Sequence, residues 1–271
     1  MIFESLLEPI RRRLRQLPDE RKQKVRAYLQ VFLRVLPHKH DLKMLSLKYG
    51  GDKQTHGYLH HYTRLFSPLR RNKLVVLEIG VGGFSDSNSG GESLRMWRDY
   101  FPNGLIYGID IVDKSALNGR RIKTYQGDQS DEKFLKSLID EIGRPDIIID
   151  DGSHQNPHVL ASFEILFPLL ADNGIYVIED LYTSYWSRMG GSCDPDARLK
   201  TSMGMLQRLT DCLNYQYIPH REPNYLDHHV TAVQFFRKIA FIQKGDNSMD
   251  EPAHVMEDLR REEELHVPRR N

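Results

Sequence analysis

The sequence is poor in cysteine. Two residues in 271, Cys193 and Cys212, form no Cys-x-x-Cys pair, which excludes a cysteine-built zinc site and suits a reducing compartment. Long apolar runs are missing too. The longest uncharged ones, such as FPLLA at 167–171, are strand-sized, so no stable membrane insertion is expected. MIFESLLEPIRRR lacks the apolar core of a signal peptide, and the expected compartment is the cytoplasm. Neither sign of charge is in excess, with 38 Lys and Arg against 37 Asp and Glu, which speaks against a nucleic-acid partner. What is present, 39% hydrophobic residues over 271 positions, is enough for one large domain with a full core.

Apolar strands alternate with amphipathic helices, the pattern of a parallel sheet covered on both faces. LVVLEIGV (74–81) enters a Gly/Ser-rich loop and then ESLRMWRDYF (92–101), where Leu94, Trp97 and Phe101 recur at helical spacing. LIYGIDI (105–111) and RIKTYQGD (121–128) follow as strands. DEKFLKSLIDEIG reads as a helix stopped by Gly143, DIIID (146–150) as a strand, the stretch around 158–170 as a helix, and GIYVIEDL (174–181) as a strand. VTAVQFF and IAFIQK, separated by Arg237 and Lys238, form an expected antiparallel hairpin. The expected fold is therefore α/β, a Rossmann-like doubly wound, mostly parallel, seven-stranded sheet with a C-terminal antiparallel hairpin and N-terminal helices. We expect a helical extension over 1–45, a catalytic domain over 46–245 and a charged, largely mobile tail over 246–271. In the extension, Tyr28, Phe32 and Val35 share one stripe and RKQKVR another, and the apolar stripe is expected to pack on the main domain or a second subunit.

Ligands of open α/β sheets collect at the strand C-termini, and three polar signals fall there. EIGVGG (78–83) supplies Glu78 and the glycines Gly80 and Gly82, where the backbone can approach a ligand closely. Asp110 ends the second strand, where a carboxylate can accept bonds from both ribose hydroxyls of an adenosine. Asp128 and Gln129 follow the third strand. The dinucleotide fingerprint G-x-G-x-x-G fails at its third glycine, which is Ser85, and SDSNSGG intervenes before the helix.

With EIGVGG the chain resembles the class I S-adenosylmethionine methyltransferases. It is closer to one branch, the metal-dependent sugar O-methyltransferases of the macrocin and mycinamicin type. YGGDKQTHGYLHHYTRLF (49–66), GGESLRMWRDYFPNGLIYGIDI (90–111), GDQSD (127–131), IIIDDGSH and VIEDLYTSYW (177–186) carry the likeness, which covers about 45–240. Its most specific element is DDGSH paired with IED, Asp151 and Glu179 being 28 residues apart. The resemblance implies S-adenosylmethionine held by Glu78, Gly80, Gly82, Ser93, Asp110, Asp128, Gln129 and Asp150, the last on the cofactor side. It implies Mg²⁺ (or Mn²⁺) on Asp151, Glu179 and Asp180, and His154 as general base. The larger members' auxiliary-domain contacts are not expected to carry over, and a homo-oligomer is left open.

The residues make independent sense of that assignment. If 146–150 and 174–180 are neighbouring strands, their terminal carboxylates converge and repel unless a cation joins them. All-oxygen donors suit Mg²⁺ or Mn²⁺. The plainer alternative is a turn at Asp150–Asp151 and capping or arginine pairing at Glu179–Asp180. The expected reaction is methylation of a sugar hydroxyl on a glycosylated small molecule or glycolipid, with Tyr58, Tyr182 and Trp186 at the acceptor and His60, His61, Tyr62 and Tyr185 nearby. A catechol or other vicinal diol would serve the same chelation, and a nicotinamide-dependent oxidoreductase is the rival use of Gly80, Gly82 and Asp110.

Overall fold

The computed structural model describes residues 40–218, 220–248 and 253–266, with Pro18, Arg21, Gln23 and Lys24. The N-terminal stripe of Tyr28, Phe32 and Val35 lies outside the described residues. Helices α1 (Leu42–Tyr49) and α2 (Leu59–Phe66) lead into β1 (Val75–Ile79), buried from Val76 to Ile79. The chain continues through α3 (Glu92–Tyr100), β2 (Leu105–Asp110), β3 (Ile122–Gln126), α4 (Glu132–Ile142), β4 (Ile147–Asp150), α5 (Asn156–Leu169) and β5 (Ile175–Ile178). Then come α6 (Ser202–Cys212), β6 (Val230–Phe236), β7 (Ile239–Lys244) and α7 (Ala253–His266). The helix α7 occupies a tail expected to be mobile. Among the described residues no helix is long and apolar enough to cross a membrane.

The seven strands run in the order β3-β2-β1-β4-β5-β7-β6. β1 to β5 are parallel, while β7 is antiparallel to β5 and to β6. Winding starts at β1 and proceeds outward first through β2 and β3, then through β4 and β5. The crevice where it reverses, between β1 and β4, is where a ligand of such a sheet sits.

Strand alternation decides which carboxylate faces which layer. Val76, Ile147, Ile149, Ile175 and Val177 pack with Leu42, Tyr62 and Trp97 on the side of α1, α2 and α3. Leu77, Ile79, Ile148, Tyr176 and Ile178 pack with Leu135, Phe163 and Leu206 on the side of α4, α5 and α6. Glu78, one residue out of step with Leu77, therefore points toward α3, and Asp150, in step with Ile148, points toward α5. Helix α4 starts on Asp131, whose side chain accepts the Lys133 and Phe134 amides, and stops at Gly143 with φ of 80°. β5 ends earlier than the sequence suggests: Asp180 adopts φ 53°, ψ 39° and turns the chain into a 3-10 segment, Leu181–Tyr185.

Candidate active site

A cavity of about 670 Å³ opens at the C-terminal ends of β1, β2 and β4. Its floor depends on Gly80: at φ +87° a Cβ there would stand 2.2 Å from the Asp151 carbonyl oxygen, so only glycine allows the strands to close together. At the rim, Asp110 Oδ2 accepts the Val81 amide at 3.0 Å and Oδ1 accepts the Val112 amide at 2.9 Å. Both oxygens are thereby fixed, and each keeps a lone pair for a ligand hydroxyl. Gly82, Ser93, Asp128, Gln129 and His154 also line the cavity.

Two residues expected at the cofactor lie behind the cavity lining. Glu78 is fully buried and is held by Ser93 Oγ at 2.7 Å. Asp150 turns to the α5 face, where Ser162 Oγ donates to it at 2.6 Å and Gln129 Nε2 at 3.2 Å. Burial pushes its carboxyl up to about 6, against the hydrogen bond from Ser162. It reaches the cavity through Gln129, whose Oε1 accepts the Ser153 amide at 2.8 Å, and through the Gly152 amide, which donates to its Oδ1 at 3.4 Å.

The carboxylates beyond β4 and β5 meet a lysine. Lys53, on the 3-10 turn Asp52–Gln54, is 2% exposed. Its ammonium donates to Asp151 Oδ2 at 2.7 Å and Glu179 Oε1 at 2.6 Å. Glu78 Oε1 lies 3.2 Å away, within ion-pair range though outside hydrogen-bond geometry. Burial opposes the charge on Lys53, yet Asp151, Glu179 and Glu78 outweigh it and hold its pKa well above the usual lysine value. Burial, with Asp151 beside it, pushes Glu179 upward, opposed by Lys53 and by the Tyr62 hydroxyl that donates to it.

Asp180 accepts from the Tyr58 hydroxyl and from Tyr182 Oη at 3.1 Å, and His56 Nδ1 lies 3.3 Å away. His154 Nε2 stands 3.8 Å from Asp180 Oδ2 and 3.9 Å from Asp151 Oδ1. Both His154 (φ 56°) and Asp180 (φ 53°) have left-handed backbones, a conformation that costs a non-glycine residue about 1–2 kcal/mol. Two such costs on facing side chains are the kind of strain that clusters at functional sites.

The donor chemistry, carboxylates without thiols, suits Mg²⁺ or Mn²⁺. The spacing is open: Lys53 stands between Asp151 and Glu179, and among the described residues no three His, Cys, Asp or Glu side chains converge as a metal-ligand set. Asp151, Glu179 and Asp180 are thus linked through Lys53 and His154 rather than gathered into a closed cluster.

Tyr58, expected at the acceptor, is completely buried and orients Asp180. Tyr182 and the 41%-exposed Trp186 do form a surface, their rings 4.8 Å apart edge to face beside Asp180. His61 stacks on Phe236. Lys53, His56 and the role of Tyr62 were not anticipated from the sequence.

Lys53→Met should destabilise the fold by about 3–5 kcal/mol, because it leaves buried carboxylates without their counter-charge. Urea unfolding followed by circular dichroism measures this. A loss below about 1 kcal/mol would show that the carboxylates carry no charge needing Lys53.

No family model matches the chain. It is 45% identical over 216 residues, 77% of this chain and 54% of the other, to mycinamicin VI 2''-O-methyltransferase of Micromonospora griseorubida. It is 46% identical over 215 residues, 78% of this chain and 54% of the other, to demethylmacrocin O-methyltransferase of Streptomyces fradiae. The chain spans about half the length of these curated relatives. Among solved structures, the MycE methyltransferase from the mycinamycin biosynthetic pathway, in complex with Mg and SAH, superposes with a TM-score of 0.77 at 41% identity, covering 84% of this chain and 60% of that one. Sheet order, cavity position and these likenesses agree, and the chain belongs to the macrocin and mycinamicin family of class I S-adenosylmethionine-dependent sugar O-methyltransferases.

Proposed function

We propose that this protein transfers the methyl group of S-adenosylmethionine to a hydroxyl of a glycosylated small molecule, using Mg²⁺, and that residues 46–245 are its catalytic domain. One observation carries the reading: the glycine turn and Asp110 share a single cavity with Asp151 and His154. The relatives' names support the acceptor class, since they specify sugar positions, including the 2'-hydroxyl of an α-L-rhamnosyl tetracenomycin. MycE has also been solved with Mg, SAH and mycinamycin VI together.

Asp110 would hold the ribose, and Gly80 and Gly82 would let the backbone close on the cofactor. Ser93, Asp128 and Gln129 would complete the lining, with Glu78 and Asp150 bracing it from behind. Asp151, Glu179 and Asp180 would hold the metal. When bound, the cofactor supplies a methyl activated by its sulfonium, and the metal supplies Lewis acidity toward vicinal hydroxyls. A sugar alcohol is a poor nucleophile at neutral pH, so its proton needs a base. His154 Nε2, which faces the cavity between Asp151 and Asp180, accepts that proton. Tyr182 and Trp186 offer an apolar shelf to the CH face of the sugar ring and orient the hydroxyl.

Titration calorimetry should show S-adenosylhomocysteine binding and no NAD⁺ binding. Asp110→Ala should weaken the former by about 1.5–3 kcal/mol, the worth of hydrogen bonds to a charged group. Saturable NAD⁺ binding in the cavity would overturn the methyltransferase reading.

A further inference from the structure

The loop between Gly82 and α3 is longer than a glycine turn requires, and it places an aromatic side chain in the open. Phe84 is 93% exposed, has φ +47° and lines the rim of the cavity. A bulky residue in the left-handed region is strained, and a phenylalanine with nearly all its surface in water gains nothing from burial. Neither cost is offset by contacts within the fold.

The loop is nevertheless firmly built. A Cβ on Gly83 would stand 2.1 Å from the Ser89 carbonyl oxygen, and one on Gly90 would stand 2.5 Å from that of Gly82, so the two arms touch. The Gly91 amide donates to Val81 O at 2.7 Å. Asp86 Oδ1 accepts the Asn88 amide at 2.9 Å. Beneath it lies Lys114, 1% exposed, four residues beyond Asp110. Its ammonium donates to three loop carbonyls, Phe84 O at 2.9 Å, Asp86 O at 2.7 Å and Ser89 O at 3.3 Å. Burying a full charge to hold three neutral carbonyls is expensive. Its effect is to fix where Phe84 is presented.

That place is the ribose side of the cavity. Phe84 lines the same cavity as Asp110 and Ile111, the latter itself 65% exposed, so two exposed apolar side chains share that cavity with the carboxylate that would hold the ribose. We infer that Phe84 is an apolar wall of the cofactor site, covering the adenosyl part of the bound cofactor, and that Lys114 is the residue that positions it. The inference rests on the cofactor reading above.

Calorimetric titration of S-adenosylhomocysteine into the full chain separates the two. Wild-type protein that fails to bind would sink the cofactor reading itself. If wild type binds, Phe84→Ala should raise Kd by about tenfold or more, as expected for an aromatic side chain that loses its burial on binding. Phe84→Leu should recover most of the loss. The thermal midpoint of ligand-free Phe84→Ala should match wild type, because the ring touches solvent there, while the ligand-induced rise in midpoint shrinks. Lys114→Met should also weaken binding. An unchanged Kd in Phe84→Ala would overturn the inference.

Discussion

Replacing His154 with alanine is expected to lower kcat by about 10²- to 10⁴-fold, the usual worth of a positioned general base. A left-handed backbone, φ 56°, just after the DDGS turn brings the imidazole to the cavity lining. Its Nε2 stands within 4 Å of two carboxylates, at 3.8 Å and 3.9 Å. The ring's two carboxylate contacts are long and it is a quarter exposed, so the variant should fold, and its affinity for S-adenosylhomocysteine should stay within about twofold of wild type, a difference of roughly 0.4 kcal/mol. Single-turnover methyl transfer to an α-L-rhamnoside, followed as release of S-adenosylhomocysteine, measures the effect. A His154→Ala enzyme at the wild-type rate would reduce the residue to part of the lining.

The sheet was legible because its signals are local. Four of the five parallel strands are short β-branched runs that end in a polar residue or a glycine turn, and their length of four to six residues and β-branched content, rather than alternation, mark them as buried strands. The strand following Gly174 ends at Ile178, three residues before the Leu181 that the sequence suggests. Nothing in IYVIED announces that Asp180 leaves the extended region, since aspartate is also tolerated in a left-handed turn.

The site is legible only in part, and alternation accounts for where Asp150 lies. Asp150 and Asp151 are adjacent, so one of them must face α5 while the other faces the cavity side. Applied to DIIIDD, that rule sets Asp150 on the same face as Ile148, toward α5. Lys53 is a different case. It lies 98 residues from Asp151 and 126 from Glu179, and no periodicity links a lysine in a polar loop to strand ends so far along the chain. Its one available signal was its place in YGGDKQTHGY, inside a stretch that already carried the family likeness. The aromatic residues of that stretch drew attention as acceptor contacts. Tyr58 and Tyr62 instead turn their hydroxyls onto Asp180 and Glu179, because a tyrosine can bury its ring in the core and spend its one polar atom on a carboxylate.

Electrostatics make the metal the point on which the account turns. Lys53 is the ion-pair partner of Glu78, Asp151 and Glu179. Asp180 is held by hydroxyls and faced by His56 and His154. A divalent cation on Asp151, Glu179 and Asp180 would relieve the repulsion that one ammonium leaves among four carboxylates. Without it, an acceptor diol loses both its orientation and the stabilisation of its developing alkoxide, several kcal/mol in the transition state. The decisive measurement is methyl transfer from S-adenosylmethionine to an α-L-rhamnoside by EDTA-treated enzyme, before and after Mg²⁺ is restored. Turnover should fall below about a thousandth of its starting value in EDTA, which is about 4 kcal/mol in the barrier, and should return with Mg²⁺. A full rate in EDTA would contradict the account, leaving Asp151, Glu179 and Asp180 as partners of Lys53 and the tyrosines alone.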